Sequence, residues 1–545
     1  MEKKLLMGNE AIALGALRAG VSVITGYPGT PSSEILETAA KHNSKGAYVE
    51  WSVNEKAAME VAAGASYAGA RTMVTMKQVG LNVASDPLMS LNYVGIKGGM
   101  VIVCADDPGP ISSQTEQDTR HYGEFSKIAV FDPSSPEEAY LMIADAFEFS
   151  EKYGRPVVFR PTTRVCHGVA AIEILPDLSV KPPDGFFKDG GKWVIFPKLA
   201  YENHLIIERQ SEEMSLDLSN YNRNVVTGFG KKGIVSGGVS YAYTLEALRL
   251  SAEKNGAIPP HKLFKVSSYP FPEKLALSFL ENLDEVLVIE ELDPVIENAL
   301  LRICGKYGIK VKICGKSDKS IPRAGENTVE IASRSIAAFL NIKTNENATR
   351  GESPPILPTR APVLCAGCPH NASFTAVKEA VRRYAQNRKV VYSGDIGCYT
   401  LGNTLDMVDT CLCMGAGITV AQGINRVEPD TLNFAFIGDS TFFHTGIPGI
   451  INAVYSGSNI IVVILDNSTT AMTGGQPHPG TGKNASGGEA KKIDIFEVLS
   501  AIGVTDIVRV NPYDKASADE AVSRMIEKKG VRVILFEAPC IKMKG

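Results

Sequence analysis

A chain of 545 residues, 44% hydrophobic and 21% charged, with a formal net charge of −4, has the make-up of a soluble globular protein too long for a single core. Its Lys and Arg are dispersed rather than gathered into a basic stripe, which argues against nucleic acid as a partner. No apolar run reaches the roughly 18 residues that span a bilayer. The amino end, MEKKLLMGNEAIALGALRAG, starts basic and then turns apolar, but Glu10 and Arg18 interrupt it. It therefore reads as an amphipathic helix rather than a secretion signal, and the chain as cytoplasmic. Five of the ten cysteines fall between 365 and 413, a clustering that points to metal rather than to disulfides in such a compartment. Cys104, Cys166, Cys304 and Cys314 read instead as small buried apolar side chains.

The predicted elements form three α/β blocks. In residues 1–175 the runs VSVIT (21–25), TMVTM (72–76), MVIVC (100–104) and PVVFR (156–160) alternate with helix-length stretches. Turns such as Gly26-Tyr27-Pro28-Gly29 follow several of them, which spells βαβ units and a parallel sheet. A strand-like piece ends at Glu50, and Glu55 opens a helix dominated by Ala and Gly, with Glu60 more than one turn farther in. Residues 176–225 are irregular at first and then acidic and helix-like, and are expected to be a linker. A second block, 226–343, carries the strand runs KGIVSGG (232–238), EVLVIEE (285–291) and KVKICG (310–315). The stretch 344–362, TNENATRGESPPILPTRAP, is the clearest linker. The third block, 363–545, has strands near VVYSG (390–394), NFAFIGD (433–439), NIIVVILD (459–466) and VRVILFEA (531–538). No solenoid repeat is present, so three doubly wound domains are expected.

The strongest chemical signal lies in the third block. Gly438-Asp439-Ser440 and Leu465-Asp466-Asn467 each end an apolar strand, with 26 residues (441–466) between Ser440 and Asn467. That gap fits one helix and a return strand, so the two strand ends should lie side by side at the carboxyl edge of a parallel sheet, facing a ligand crevice. A carboxylate, an amide oxygen and a following backbone carbonyl make a hard oxygen set for Mg²⁺ bound to phosphate oxygens. The helix after Asp439 would turn its free N–H groups to the anion. As an ordinary strand–turn–helix, the same residues would be turn formers only.

These residues resemble the thiamine-diphosphate signature, with Ser440 in place of its second glycine and Thr473-Gly474-Gly475-Gln476 similar to the 2-oxoacid:ferredoxin oxidoreductase branch. The resemblance implies Asp439, the Asn467 side chain and the Thr469 carbonyl as Mg²⁺ ligands, with Gly438 and Ser440 against the cofactor. It also implies that an apolar side chain supports the bent cofactor. Met414, in Cys413-Met414-Gly415-Ala416-Gly417 ahead of a helix expected from Ile418, is the candidate. Thiamine diphosphate needs a carboxylate at N1′ of its pyrimidine, and Glu55 is the candidate, with Glu50 and Glu60 as competitors; a carboxylate that merely complements the helix dipole is the plainer reading.

Four further segments make the resemblance specific: Gly26-Tyr27-Pro28-Gly29-Thr30-Pro31-Ser32-Ser33, the Glu55 helix with GASYAGAR (64–71), Thr75-Met76-Lys77-Gln78-Val79-Gly80-Leu81-Asn82, and Gly394-Asp395-Ile396-Gly397-Cys398-Tyr399-Thr400. Over nearly its whole length the chain looks like the large subunits of the indolepyruvate:ferredoxin oxidoreductase family. This implies a pyrimidine-binding domain (1–175), a transketolase-C-like middle domain (226–343) and a diphosphate-binding domain (363–545). It implies Glu55 as activator, Thr30 at the substrate end, and Arg120 paired with the substrate carboxylate, a task that suits a guanidinium fork. Gln78 stands where the family has His.

Cys365 and Cys368 form a C-x₂-C turn, Cys398 ends Gly394-Asp395-Ile396-Gly397-Cys398, and Cys540 follows the last strand. In the related oxidoreductases such cysteines hold a [4Fe–4S] cluster near thiamine, and four is the right number. Zinc suits the same ligands, scattered thiols are the other alternative, and the C-x-C pair Cys411 and Cys413 is spare or replaces one ligand. Family members usually carry a further ferredoxin-like domain with repeated C-x₂-C-x₂-C spacing, which is not seen after Cys540. Electrons are then expected to leave through another subunit or a docked carrier.

The expected activity is thiamine-diphosphate-dependent oxidative decarboxylation of a 2-oxoacid of the aryl-pyruvate class. Its products are acyl-coenzyme A, with coenzyme A as co-substrate, and CO₂, with electrons passing to ferredoxin or another carrier. A smaller companion (beta) subunit and a dimer of heterodimers are implied, with the two ends of the cofactor on different domains across a dimer interface. The rivals are a non-oxidative thiamine decarboxylase or carboligase, and a non-catalytic protein that binds the cofactor.

Overall fold

The computed structural model describes residues 3–44, 46–342, 358 and 362–543. It divides into two compact units, Met1–Glu50 with Glu55–Ser353, and Trp51–Asn54 with Pro354–Gly545.

The first unit holds a seven-stranded sheet in the order Ser268–Tyr269, Val130–Phe131, Val157–Phe159, Met100–Ala105, Thr72–Lys77, Val23–Gly26, Tyr48–Trp51. From Val130–Phe131 to Val23–Gly26 the neighbours are parallel. Met100–Ala105 is buried at every position and Thr72–Lys77 at all but its last. Such strands are covered on both faces, which is why they read as unbroken apolar runs. The helix Pro136–Tyr153 shows how firmly the connections are specified: Ser135 caps its start by accepting from the Glu138 N–H, and Gly154 ends it in the left-handed region.

A second sheet of this unit runs Lys312–Cys314, Glu285–Ile289, Lys232–Gly237, Lys262–Val266, Val225–Gly228, the last strand antiparallel. The two sheets stand on one core: Met59, Val74, Leu88 and Ile102 belong to the same apolar cluster as Val235, Phe264, Phe279 and Ile296. Ser268–Tyr269 extends the first sheet from within the middle block. The stretch 176–225, expected as a linker, contains the 23-residue helix Pro197–Ser219, which buries Ile207, Met214 and Leu218. Its Ser215 hydroxyl donates to the Phe271 carbonyl at 2.7 Å. Lys3–Met7 pairs antiparallel with Val169–Glu173 in a two-stranded ribbon that no sequence pattern announced.

The second unit has a five-stranded, wholly parallel sheet in the order Val390–Ser393, Leu432–Gly438, Ile460–Asp466, Val531–Glu537, Asp506–Val510. Alternate residues feed opposite faces, as the period of two requires. Phe434, Phe436, Ile461 and Val463 join one core with Phe374 and Val522, while Ala435, Ile437, Val462 and Ile464 join another with Ile418, Ile450 and Leu499. The linker expected at 344–362 lies, apart from Pro358 and Pro362, outside the described residues. Among the described residues no helix is long and apolar enough to cross a membrane.

Candidate active site

In the second unit the strands Leu432–Gly438 and Ile460–Asp466 are direct neighbours, with Gly438 opposite Leu465. Their carboxyl ends place Asp439 and Asn467 side by side, both about 95% or more buried. Asp439 opens a helical run that passes through a wider π turn at Phe442–Gly446 and continues to Tyr455. Its Oδ1 accepts from the Ser440 N–H at 2.9 Å and its Oδ2 from the Asn467 N–H at 3.2 Å. His478 Nε2 lies 3.1 Å from the same Oδ2. Burial opposes the charge on Asp439, but the His478 imidazole and hydrogen bonds from His478, Asp466 and Ser440 hold its carboxyl below the ordinary value. Asp466 moves the other way, to about 7, because it is buried beside the Asp439 charge.

The turn after Asp466 is tight. Ser468 takes a left-handed φ of 60°, the Thr469 N–H donates to Asn467 Oδ1 at 3.3 Å, and Thr470 Oγ1 donates to Ser440 Oγ at 2.9 Å, joining the two loops. The Thr469 hydroxyl is buried with no hydrogen-bond partner. Half-buried Met414 and buried Gly415 lead into the helix Ala416–Val427, two residues earlier than the expected Ile418. Gly415 has φ +79°, and a Cβ there would lie 2.2 Å from Thr445 Oγ1, so glycine is required on both counts. The Gly415 N–H donates to Asp395 Oδ2 at 3.0 Å. Asp395 is pushed up to about 8 by burial, against hydrogen bonds from Tyr399, Gly415 and Gly417. The Tyr399 hydroxyl bridges Asp395 and Thr441 Oγ1.

Cys365, Cys368, Cys398 and Cys540 are all free thiols of this unit. Burial, followed by the proximity of Cys368, Cys540 and Cys365, pushes the Cys398 thiol up to about 11. The four are therefore neighbours. Among the described residues, however, they do not form a set whose ligand atoms all lie within 4.8 Å of one another. A single zinc with Zn–S bonds of about 2.3 Å needs that closeness. Cys411 and Cys413 are exposed, whereas Cys104, Cys166, Cys304 and Cys314 are buried.

In the first unit Glu55 opens the helix Glu55–Tyr67 and is only 5% exposed. A Cβ at Gly80 would fall 2.5 Å from Glu55 Oε1, so the carboxylate sits where only a glycine leaves room. Its competitors differ: Glu60 is exposed and pairs with Lys56, and Glu50 accepts from the Tyr48 hydroxyl. Thr30 is half-buried, and its carbonyl accepts from Ser112 Oγ at 3.2 Å. Lys77 lies against Gly29, with Nζ 3.5 Å from the Ser112 carbonyl. Burial lowers its pKa, while Asp107 and Glu55 nearby oppose the shift.

Arg120 corrects the sequence reading. Its guanidinium is not free for a substrate: all five N–H groups have partners within the protein. Asp118 takes Nε and one N–H of Nη2, Glu290 and the Tyr269 hydroxyl take Nη1, and the Glu291 and Asp293 carbonyls take what remains of Nη2. The side chain is 2% exposed. Arg120 is a buried structural charge, because partners some 170 residues away in sequence consume its donors.

Comparison with known proteins adds the lineage. Residues 14–190 match the family described as pyruvate flavodoxin/ferredoxin oxidoreductase, thiamine diP-bdg, and residues 395–536 match thiamine pyrophosphate enzyme, C-terminal TPP binding domain. Indolepyruvate oxidoreductase subunit IorA of Methanothermobacter thermautotrophicus is 40% identical over 100% of this chain and 88% of its own length. The chain belongs to the IorA family. The IorA subunit of Archaeoglobus fulgidus is 41% identical over 99% of this chain and 86% of its own. A solved 2-oxoglutarate:ferredoxin oxidoreductase from Magnetococcus marinus has a TM-score of 0.49 at 18% identity, covering 62% of this chain and 65% of that one.

The residues present fit the thiamine pyrophosphate site of the matched family model. The oxygen set of Asp439, Asn467 and the Thr469 carbonyl is of the hard type that Mg²⁺ takes, and the orphaned Thr469 hydroxyl leaves a buried polar atom beside it. Sequence reasoning missed His370, His478, Asp395, Tyr399 and Lys77. Lys77, Asp395 and Tyr399 lie within segments that carry the resemblance, His370 follows the C-x₂-C-P turn directly, and His478 comes two residues after the Gly-Gly-Gln of the Asn467 loop.

Proposed function

We propose that this chain is the thiamine-diphosphate-binding subunit of an enzyme that oxidatively decarboxylates aryl-pyruvates of the indolepyruvate class. The reaction balances as 2-oxoacid plus coenzyme A giving acyl-coenzyme A, CO₂, one proton and two electrons. The single observation that carries the reading is the buried pair Asp439 and Asn467 at two adjacent strand ends, beside the unpartnered Thr469 hydroxyl, in a chain of the IorA family. Asp439, the Asn467 amide oxygen and the Thr469 carbonyl would hold Mg²⁺, with Gly438 and Ser440 against the diphosphate and Met414 and Gly415 beneath the cofactor's bend. Thiamine diphosphate, when bound, supplies the electron sink that lets a 2-oxoacid lose CO₂.

The chain's own groups do the rest. Glu55 hydrogen-bonds N1′ of the pyrimidine. Thr30 faces the substrate end. Lys77 takes the carboxylate contact that Arg120 cannot make, since it is the half-buried cation beside the Thr30 loop. Cys365, Cys368, Cys398 and Cys540 hold a [4Fe–4S] cluster, and exposed Cys365 marks the side where electrons leave one at a time to ferredoxin or another carrier. A smaller companion subunit completes the enzyme, as the word subunit in the relatives' names suggests, in a dimer of heterodimers. Ten unpaired cysteines fit the reducing cytoplasm.

The test is turnover of the anoxically prepared complex with indolepyruvate, coenzyme A and a one-electron acceptor. Two acceptors reduced per acyl-coenzyme A formed is the expected result. Release of free aldehyde with no acceptor reduced would establish the non-oxidative decarboxylase instead.

A further inference from the structure

Asn467 is a ligand that can face the wrong way. A carboxamide has an acceptor end and a donor end of nearly the same shape, and a half-turn about its last torsion swaps them. A cation is bound by the oxygen and repelled by the NH₂ group, so some neighbour has to set the orientation. The loop supplies one such neighbour: the Thr469 N–H donates to Oδ1 at 3.3 Å, a long bond. The second comes from another element. His370 is the second residue of the helix Pro369–Tyr384, directly after Cys368 and Pro369, and its ring is 3% exposed. Its Nε2 lies 3.1 Å from Asn467 Nδ2.

The two contacts admit one arrangement. If the amide were reversed, its NH₂ would meet the Thr469 N–H donor to donor. With Oδ1 towards Thr469, Nδ2 donates to His370, so Nε2 is the acceptor and the ring proton sits on Nδ1. The Asn467 backbone is held as well: its N–H donates to Asp439 Oδ2 at 3.2 Å, and its carbonyl accepts from the Cys540 N–H at 3.0 Å. With the backbone fixed, the Thr469 N–H at one end of the amide and the imidazole at the other together hold the orientation that faces the cation.

We infer that His370 is a positioning residue for the metal site: it accepts from Asn467 Nδ2 and thereby presents Asn467 Oδ1 to Mg²⁺. The inference rests on the reading of Asn467 as a ligand. It gives the C-x₂-C-P-His turn a second task, since the segment that carries Cys365 and Cys368 also sets a ligand of the neighbouring site.

The experiment is a Mg²⁺ titration of the complete protein at saturating thiamine diphosphate, followed by the circular dichroism of the bound cofactor, with no turnover involved. His370→Leu removes the acceptor and should weaken Mg²⁺ about tenfold or more, the usual effect of losing an orienting partner. His370→Gln, which keeps an acceptor oxygen, should recover most of it. Asn467→Ala should weaken Mg²⁺ at least as far as His370→Leu does. If His370→Leu fails to fold, His370→Met makes the same comparison with a side chain closer in volume. A folded Leu or Met variant that binds Mg²⁺ as tightly as the unaltered protein, while Asn467→Ala does not, overturns the inference and leaves the ligand reading standing. Unchanged Mg²⁺ binding in Asn467→Ala overturns the ligand reading itself.

Discussion

The two units bury their charges to different ends. In the first, Arg120 is surrounded by Asp118, Glu290, the Tyr269 hydroxyl and two carbonyls until no donor is left. In the second, Asp439 shares His478, Ser440 and Asn467, yet the Thr469 hydroxyl beside it has nothing to bond. A saturated buried charge fixes a fold, because every lone pair and proton has already been used by the protein. A buried polar atom left open is a cost that a ligand can remove. By that measure the strand ends of the second unit suit a ligand and Arg120 does not, while the proposed roles of Glu55, Lys77 and Thr30 in the first unit rest on where they lie.

The largest expected effect tests the Glu55 side of this contrast. Glu55→Gln should lower kcat by about 10²–10⁴, the range of a positioned acid–base group, while thiamine diphosphate still binds by circular dichroism. Unchanged kcat would move the activating role elsewhere. Next comes Arg120→Leu, which strands Asp118 and Glu290 without their counter-charge. It should cost about 3–5 kcal/mol of stability, read as a fall in Tm, and leave the KM for the 2-oxoacid unaltered in the protein that folds. A raised KM at full stability would return Arg120 to the substrate site. Lys77→Met should do the reverse, raising KM for the 2-oxoacid about tenfold through loss of a charged hydrogen bond, with little change in Tm.

A smaller effect concerns Asp395. Burial pushes its carboxyl up to about 8, well above the roughly 3.9 of an aspartate in an unfolded chain. Between those values the folded chain holds a proton that the unfolded chain has released, so stability falls as pH rises through that window. Asp395→Asn, neutral at every pH, should flatten the decline of Tm between pH 5 and 8 by the equivalent of about one proton. An unchanged slope would show that the carboxyl is ionised in the folded chain.

What the sequence made legible follows from range. The strands Leu432–Gly438 and Ile460–Asp466 were expected within a residue or two, and the pairing of Asp439 with Asn467 followed from one helix and one strand between them. The alanine-rich helix from Glu55 was legible for the same reason, its start being set by local composition. Arg120 was misjudged because its partners Glu290, Glu291 and Asp293 lie some 170 positions on, and an Arg in a polar segment looks free until the chain closes over it. His370 was passed over because its partner Asn467 is 97 residues away. The helix Pro197–Ser219 was legible as an acidic, helix-like piece of the 176–225 stretch, but its narrow apolar stripe of Ile207, Met214 and Leu218 was not.

The measurement that tests the central claim most directly is the iron and acid-labile sulfide content of the anoxically purified protein, with its visible spectrum followed as indolepyruvate and coenzyme A are added. Oxidative chemistry at Asp439, Asn467 and Glu55 with a cluster on Cys365, Cys368, Cys398 and Cys540 predicts about four irons per chain and bleaching once both substrates are present. A colourless, iron-free protein that still turns the 2-oxoacid into free aldehyde would contradict it.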